Sequence, residues 1–207
     1  MLALHGRTRS NYYNAVKAVL IEKGLEFEEI KEPVPPRAEF LTMSPMAKIP
    51  CLVTEHGSLT ETTSIIDYLE DVYPQTPMRP SDPFERAKFN EVNRSLELYI
   101  ELVARRGYGV LRGEETSDHE KADVVVGLTQ AIEAIPKLTS FNPWVFGDTF
   151  SYADIYGYFM LVYARHSARI HADIDLLDAL GAQAWFEKIE QRESMQRVLA
   201  DAAAYEP

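Results

Sequence analysis

The chain has 207 residues, 46% hydrophobic and 26% charged, a composition that excludes a disordered or low-complexity protein. With 21 Lys and Arg against 32 Asp and Glu, the formal net charge of −11 disfavours phosphate backbones and anionic lipid, so no nucleic acid or membrane partner is expected. A single cysteine, Cys51, leaves no intrachain disulfide and no cysteine-rich metal site, and no apolar run reaches the roughly 20 residues of a membrane span; the expectation is a cytoplasmic protein without a metal.

The first 80 residues alternate between strand and helix patterns. Met1 to His5 reads as a short buried strand ended by Gly6. Tyr12, Val16, Val19 and Leu20 then recur at helical spacing, and Gly24 supplies a C-terminal stop. Glu26 to Lys31 reads as a second strand, and Pro33, Pro35 and Pro36 force a loop. Ile49–Thr54 and Ser58–Thr60 form a hairpin around Gly57, followed by a helix from Glu61 to Tyr73. Residues 74–83 hold four prolines in ten and are the linker.

Everything after the linker reads as helical. Phe89, Val92, Leu96, Tyr99 and Val103 make one apolar stripe along a helix from Phe84 to Arg106. Ser117 and Glu120 form a capping box that opens a helix through Ile135. Ser151 and Asp154 form a second capping box, read as a structural nucleus, and a final helix spans Gln183 to Leu199.

Three stretches carry chemistry, each with an ordinary structural alternative. Pro50 heads a strand and forfeits a ladder bond. A cis bond after Ile49 would turn the Ile49 backbone toward an extended peptide ligand; a trans proline at a sheet edge is the alternative. Glu61 and Thr62 open a helix, where free N–H groups and a hydroxyl suit a carboxylate and Glu61 suits an ammonium group; plain capping is the alternative. Ser10, before the first helix, could donate to an anion such as a thiolate, or serve as a cap.

Taken together, these features resemble the glutathione transferases. LTMSPMAKIPCLVTEHGSLTETTSIIDYLEDVYP is similar to the family's N-P-x-G-K-[VI]-P-x-L … L-x-E-[ST]-x-x-I-x-x-Y-L pattern, with Ser44 and Ala47 departing at the Asn and Gly. GDTFSYADI is similar to the family segment G-D-x-[FL]-[ST]-x-A-D-I.

The resemblance implies an α/β plus all-α fold: a thioredoxin-like N-terminal domain over residues 1–77, and a C-terminal helical bundle over residues 83–207 that forms the electrophile site. It implies a glutathione transferase of detoxification that conjugates the thiolate of glutathione, its co-substrate, to a small hydrophobic electrophile. The alternatives are a glutathione-dependent isomerase or peroxidase, or a ligand-binding or regulatory protein without catalysis. Pro50 would be the cis-proline. Ile49 would bond the cysteinyl backbone, Glu61 and Thr62 would hold the γ-glutamyl end, and Lys48 would reach the glycyl carboxylate. Ser10 would contact the thiolate, with Asn11 and Tyr12 as runners-up. Tyr12, Tyr99, Arg106 and Tyr108 are candidates for the electrophile site, and a homodimer is expected.

Overall fold

The computed structural model describes residues 1–204. They divide into two compact units: residues 1–77 with the segment from Gln191 onward, and Met78–Glu190.

The first unit is built on a four-stranded mixed sheet of order β2-β1-β3-β4, with β1 Leu2–Gly6, β2 Phe27–Lys31, β3 Cys51–Thr54 and β4 Gly57–Thr60. β1 is parallel to β2 and antiparallel to β3, which pairs antiparallel with β4. The parallel pair requires a crossover, and helix α1, Asn11–Glu22, provides it. Ala15, Val16, Ala18, Val19 and Leu20 are fully buried on α1, as are Leu4 and Leu52 on the sheet. Helix α3, Thr62–Val72, buries Ile65, Ile66 and Leu69.

A short helix, α2 (Ala38–Met43), lies between the proline loop and β3. Sequence reading missed it, because six residues are too few to display a helical period and only Phe40 is buried.

Helix α10, Glu193–Ala203, belongs to the first unit and packs on α1. This corrects two expectations. Gln183 to Leu199 is not one helix: α9, Gln183–Glu190, ends before α10 begins. Nor do residues 83–207 form one helical domain. The cause is a set of long-range polar bonds. Arg192, extended at the N-cap of α10, makes two 2.7 Å bonds to the Glu22 carboxylate, and Ser194 Oγ adds a third at 2.5 Å.

The second unit contains α4 (Pro83–Ser95), α5 (Leu102–Ala104), α6 (Asp118–Ala134), α7 (Tyr152–Ala172), α8 (Leu176–Ala179) and α9. The stripe expected over Phe84–Arg106 is present, but its helix is not regular. α4 widens into a π-helical segment at Leu96–Glu101, and after α5 the chain tightens into a 3₁₀ run over Arg105–Arg112. Side chains of α7 bond carbonyls at the start of the 3₁₀ run. Ser167 Oγ donates to the Ala104 carbonyl at 2.9 Å, and His171 Nε2 lies 3.0 Å from the Gly107 carbonyl. Gly107 is needed, since a Cβ there would meet the His171 ring at 2.5 Å.

Both capping boxes occur. Asp154 exceeds the sequence reading. One carboxylate oxygen takes the Ser151 N–H at 2.9 Å and hydroxyl at 3.1 Å; the other takes the Val145 N–H at 2.7 Å and the Trp185 indole N–H at 2.8 Å. Burial pushes this carboxyl above the ordinary range, and the four donors work against that push. The cluster ties the loop before α7 and helix α9 to the start of α7. No helix among the described residues is long and apolar enough to cross a membrane.

Candidate active site

Strand register brings the three chemical stretches to one end of the sheet. His5 lies opposite Cys51, and Cys51 lies opposite Thr60. The end of β1, the start of β3 and the end of β4 therefore share an edge. From it emerge the Arg7–Ser10 turn, the Lys48–Pro50 segment and the start of α3.

The turn into α1 is tightly bonded. The Ser10 N–H donates to the Arg7 carbonyl at 2.9 Å, and Asn14 Nδ2 donates to the Thr8 carbonyl at 2.8 Å. Ser10 is the N-cap of α1, with extended backbone, and its Oγ accepts the Tyr13 N–H at 3.3 Å. The capping alternative is thus realised, but it uses a lone pair. The hydroxyl proton remains a donor beside the positive end of the α1 dipole. Asn11 is buried and Tyr12 half-buried.

Before β3, the Ile49–Pro50 bond is cis, as expected. Pro50 is buried, Ile49 half-buried and Lys48 exposed. The departures from the family pattern have a physical account. Ser44 is buried; its Oγ donates to the Lys48 carbonyl at 2.7 Å and accepts the Lys48 N–H at 3.1 Å. One hydroxyl thus fixes both backbone groups of the residue before Ile49, a role sequence reading did not assign to Ser44. Ala47 sits at φ 54°, the left-handed region that favours the family's glycine.

At the third stretch, Glu61 is exposed and has φ 68° and ψ 117°, a strained backbone for a non-glycine residue. Its side chain makes no cap bond to α3. Thr62 is 5% exposed, and its Oγ1 points to the Tyr12 carbonyl at 3.5 Å. The starts of α1 and α3 therefore adjoin, and Ser10, Tyr12, Glu61 and Thr62 belong to one constellation.

Behind this edge lies a polar cluster that sequence reading did not assemble. Glu32, buried after β2, accepts from Arg37 at 2.7 Å and lies 2.9 Å from His5 Nδ1. Burial raises this carboxyl, and the bonds to Arg37 and His5 outweigh it and hold it below the ordinary range. Burial, with help from Glu32, pushes the Cys51 thiol up to about 11, so Cys51 is an inert thiol packed in β3.

The electrophile-site candidates of the second unit do not share one environment. Tyr99, on the π-helical segment, is 57% exposed. Arg106 is exposed and pairs with Asp123 at 3.3 Å. Tyr108 is buried, its ring 5.2 Å from the Arg105 guanidinium and edge-on to Tyr163. Its hydroxyl has no hydrogen-bond partner among the described residues. Arg105 pairs in turn with the buried Glu101.

Comparison with known proteins shows the family and the fold. The family model described as "Glutathione S-transferase, N-terminal domain" matches residues 4–77. A glutathione S-transferase of Pseudomonas putida is 37% identical over 213 residues, covering 100% of this chain and 95% of its own length. A maleylacetoacetate isomerase of Pseudomonas aeruginosa is 28% identical over 164 residues, covering 72% of this chain and 74% of its own. Among solved structures, a sphingomonad glutathione S-transferase complexed with glutathione superposes with a TM-score of 0.77 at 24% identity, over 98% of this chain and 100% of the other. The chain belongs to the glutathione S-transferase family.

Proposed function

We propose that this chain conjugates glutathione to a small electrophile, with the thiol held at the start of α1. The observation that carries the reading is the convergence of Ser10, the cis Ile49–Pro50 segment and Glu61–Thr62 at one sheet edge, with Thr62 Oγ1 reaching the Tyr12 carbonyl. Ser10 donates its hydroxyl to the sulfur, and Asn11 and Tyr12 are the alternative donors from the first helical turn. The Ile49 backbone pairs with the cysteinyl residue, Glu61 and Thr62 hold the γ-glutamyl end, and exposed Lys48 meets the glycyl carboxylate.

The chemistry needs no general base. A free thiol of pKa about 8.5 is only a few per cent ionised at pH 7. Bringing it down by about two units takes about 2.7 kcal/mol of preference for the anion. The α1 terminus contributes about 0.3–1 kcal/mol and a hydroxyl donor about 1.5–3 kcal/mol, so together they suffice. The thiol proton goes to solvent. A sulfur lone pair forms the S–C bond, and the electrons of the broken bond leave with the displaced group, or stay on the acceptor where the reaction is an addition.

The maleylacetoacetate isomerase relative, 28% identical over 164 residues, favours isomerisation as the second reading, and a glutathione-dependent isomerisation would draw on the thiolate proposed above. Tyr12, Tyr99, Arg106 and Tyr108 are the candidate electrophile contacts; Tyr99 and Arg106 are exposed and Tyr108 is buried. We assign the protein to detoxification as a cytoplasmic homodimer, and a monomer by light scattering at micromolar concentration contradicts the dimer. The activity is tested with a chromogenic electrophile. Turnover that depends on glutathione and falls in Thr62→Ala supports conjugation. Tight binding of glutathione without turnover of electrophile or isomerisable substrate overturns it in favour of a binding protein.

A further inference from the structure

Tyr13 stands three residues from Ser10, and the chemistry above does not use it. Tyr13 is 2% exposed. The ring covers Gly6 on β1 so closely that a Cβ at residue 6 would overlap it. Its N–H donates to Ser10 Oγ at 3.3 Å, and its hydroxyl donates to Glu29 Oε2 at 2.6 Å. The same Glu29 oxygen lies 2.7 Å from Lys17 Nζ, and Lys17 Nζ lies 2.6 Å from Asp201 Oδ2 on α10. Lys17 has a side-chain exposure of only 1% and is held by two carboxylates from two elements. Polar bonds thus run from Asp201 on α10 through Lys17 and Glu29 to the Tyr13 hydroxyl, and the Tyr13 ring and backbone carry the link on to the Ser10 hydroxyl through the Tyr13 N–H.

The direction of a hydroxyl proton follows from what its lone pairs accept. The Tyr13 N–H occupies the Ser10 oxygen from the helix side, which leaves the proton to point outward. Where the first turn of α1 sits therefore decides where Ser10 aims. Ring packing on Gly6 holds Tyr13 against the sheet, and the bond to Glu29 removes its remaining freedom.

We propose that Tyr13 is a positioning residue of the thiol site, whose bond to Glu29, backed by Lys17 and Asp201, sets the aim of the Ser10 hydroxyl. The inference rests on the Ser10 reading. It gives α10 a part in thiol chemistry, although α10 lies some 180 residues along the chain from Ser10.

The test uses the full chain and the ultraviolet absorbance of bound glutathione thiolate against pH. Tyr13→Phe keeps the ring on Gly6 and leaves the Lys17–Glu29 pair intact, so the fold survives. Asp201→Asn is a second, milder variant, because the Arg192–Glu22 bonds still fasten α10. Tyr13→Phe should raise the apparent thiol pKa by about half a unit to one unit, the scale of a weakened bond to a charged group. It should lower kcat while leaving KM for glutathione within about twofold, and Asp201→Asn should shift the titration in the same direction by less. In the double variant with Ser10→Ala, Tyr13→Phe should add nothing, since both act through one hydroxyl. If Ser10→Ala shifts the titration and Tyr13→Phe does not, or if the two shifts add in full, the positioning role is refuted and the Ser10 reading stands. If Ser10→Ala itself changes nothing, the Ser10 reading falls and this inference falls with it.

Discussion

Replacing Asp154 by alanine takes the acceptor from four donors at once. The Ser151 hydroxyl can rotate to another partner, but the N–H groups of Val145 and Ser151 and the Trp185 indole cannot. Each buried donor left unpaired costs about 1–3 kcal/mol, so three cost about 3–9 kcal/mol before relaxation. Water entry and local repacking bring the expected loss to about 3–5 kcal/mol, the range for breaking a buried charged interaction. That is a large part of the about 5–15 kcal/mol of a typical domain. Asp154→Asn keeps one oxygen for Val145 and Trp185 but leaves the Ser151 N–H facing a donor NH₂, so one backbone donor rather than three loses its acceptor and the cost should be less, about 1–3 kcal/mol. Both tryptophans, Trp144 and Trp185, lie in the second unit, and urea unfolding followed by their fluorescence reports on this cluster directly. A loss below about 1 kcal/mol for Asp154→Ala, or an Asn variant as costly as the Ala variant, would refute the network account.

Other outcomes follow from the first unit. Thr62→Ala should weaken glutathione binding by about 1–3 kcal/mol in titration calorimetry, and Thr62→Ser should be nearly neutral; equal affinity for Thr62→Ala would move the γ-glutamyl anchor elsewhere. Ala47→Gly should stabilise the protein by about 1 kcal/mol in chemical denaturation, because Ala47 is held at φ 54°. Burial raises the Glu22 carboxyl, but Arg192 and Ser194 outweigh it and hold it below its ordinary 4.5, as Arg37 and His5 do for Glu32. A lowered folded value contributes stability that is complete above about 4.5 and lost as pH falls through the folded values. Acid unfolding should therefore begin below about pH 4.5, and Glu22→Gln should lower stability at neutral pH and flatten the acid limb, so that its profile converges with the parent's at low pH.

Much of the architecture was legible in the sequence, because local patterns and tertiary packing agree over most of the first 73 residues, the short helix α2 excepted. The β-α-β order, the hairpin about Gly57 and the helix after Glu61 follow from periodicity and turn chemistry. Both capping boxes were read from four-residue spacings. The irregular features depend on partners distant in sequence. The 3₁₀ run over Arg105–Arg112 is held by Ser167 and His171, some 60 residues downstream. The break before α10 depends on Glu22, 170 residues upstream of Arg192. A buried lysine such as Lys17 looks like any surface lysine until Glu29 and Asp201 are brought to it. In the site, the stretches were legible because they match a specific family pattern. The Ser44 hydroxyl was visible only as a departure from that pattern, and its bonds to Lys48 required the folded turn.

The central claim is that the Ser10 hydroxyl, at the start of α1, stabilises the glutathione thiolate. The most direct measurement is the ultraviolet thiolate absorbance of the glutathione-bound protein, titrated against pH in the parent and in Ser10→Ala. The account predicts a parent midpoint about two units below the free thiol, a rise of at least about one unit in Ser10→Ala, and a loss of turnover that exceeds any loss of binding. An unchanged midpoint in Ser10→Ala, with a shift in Asn11→Ala or Tyr12→Phe instead, would contradict it.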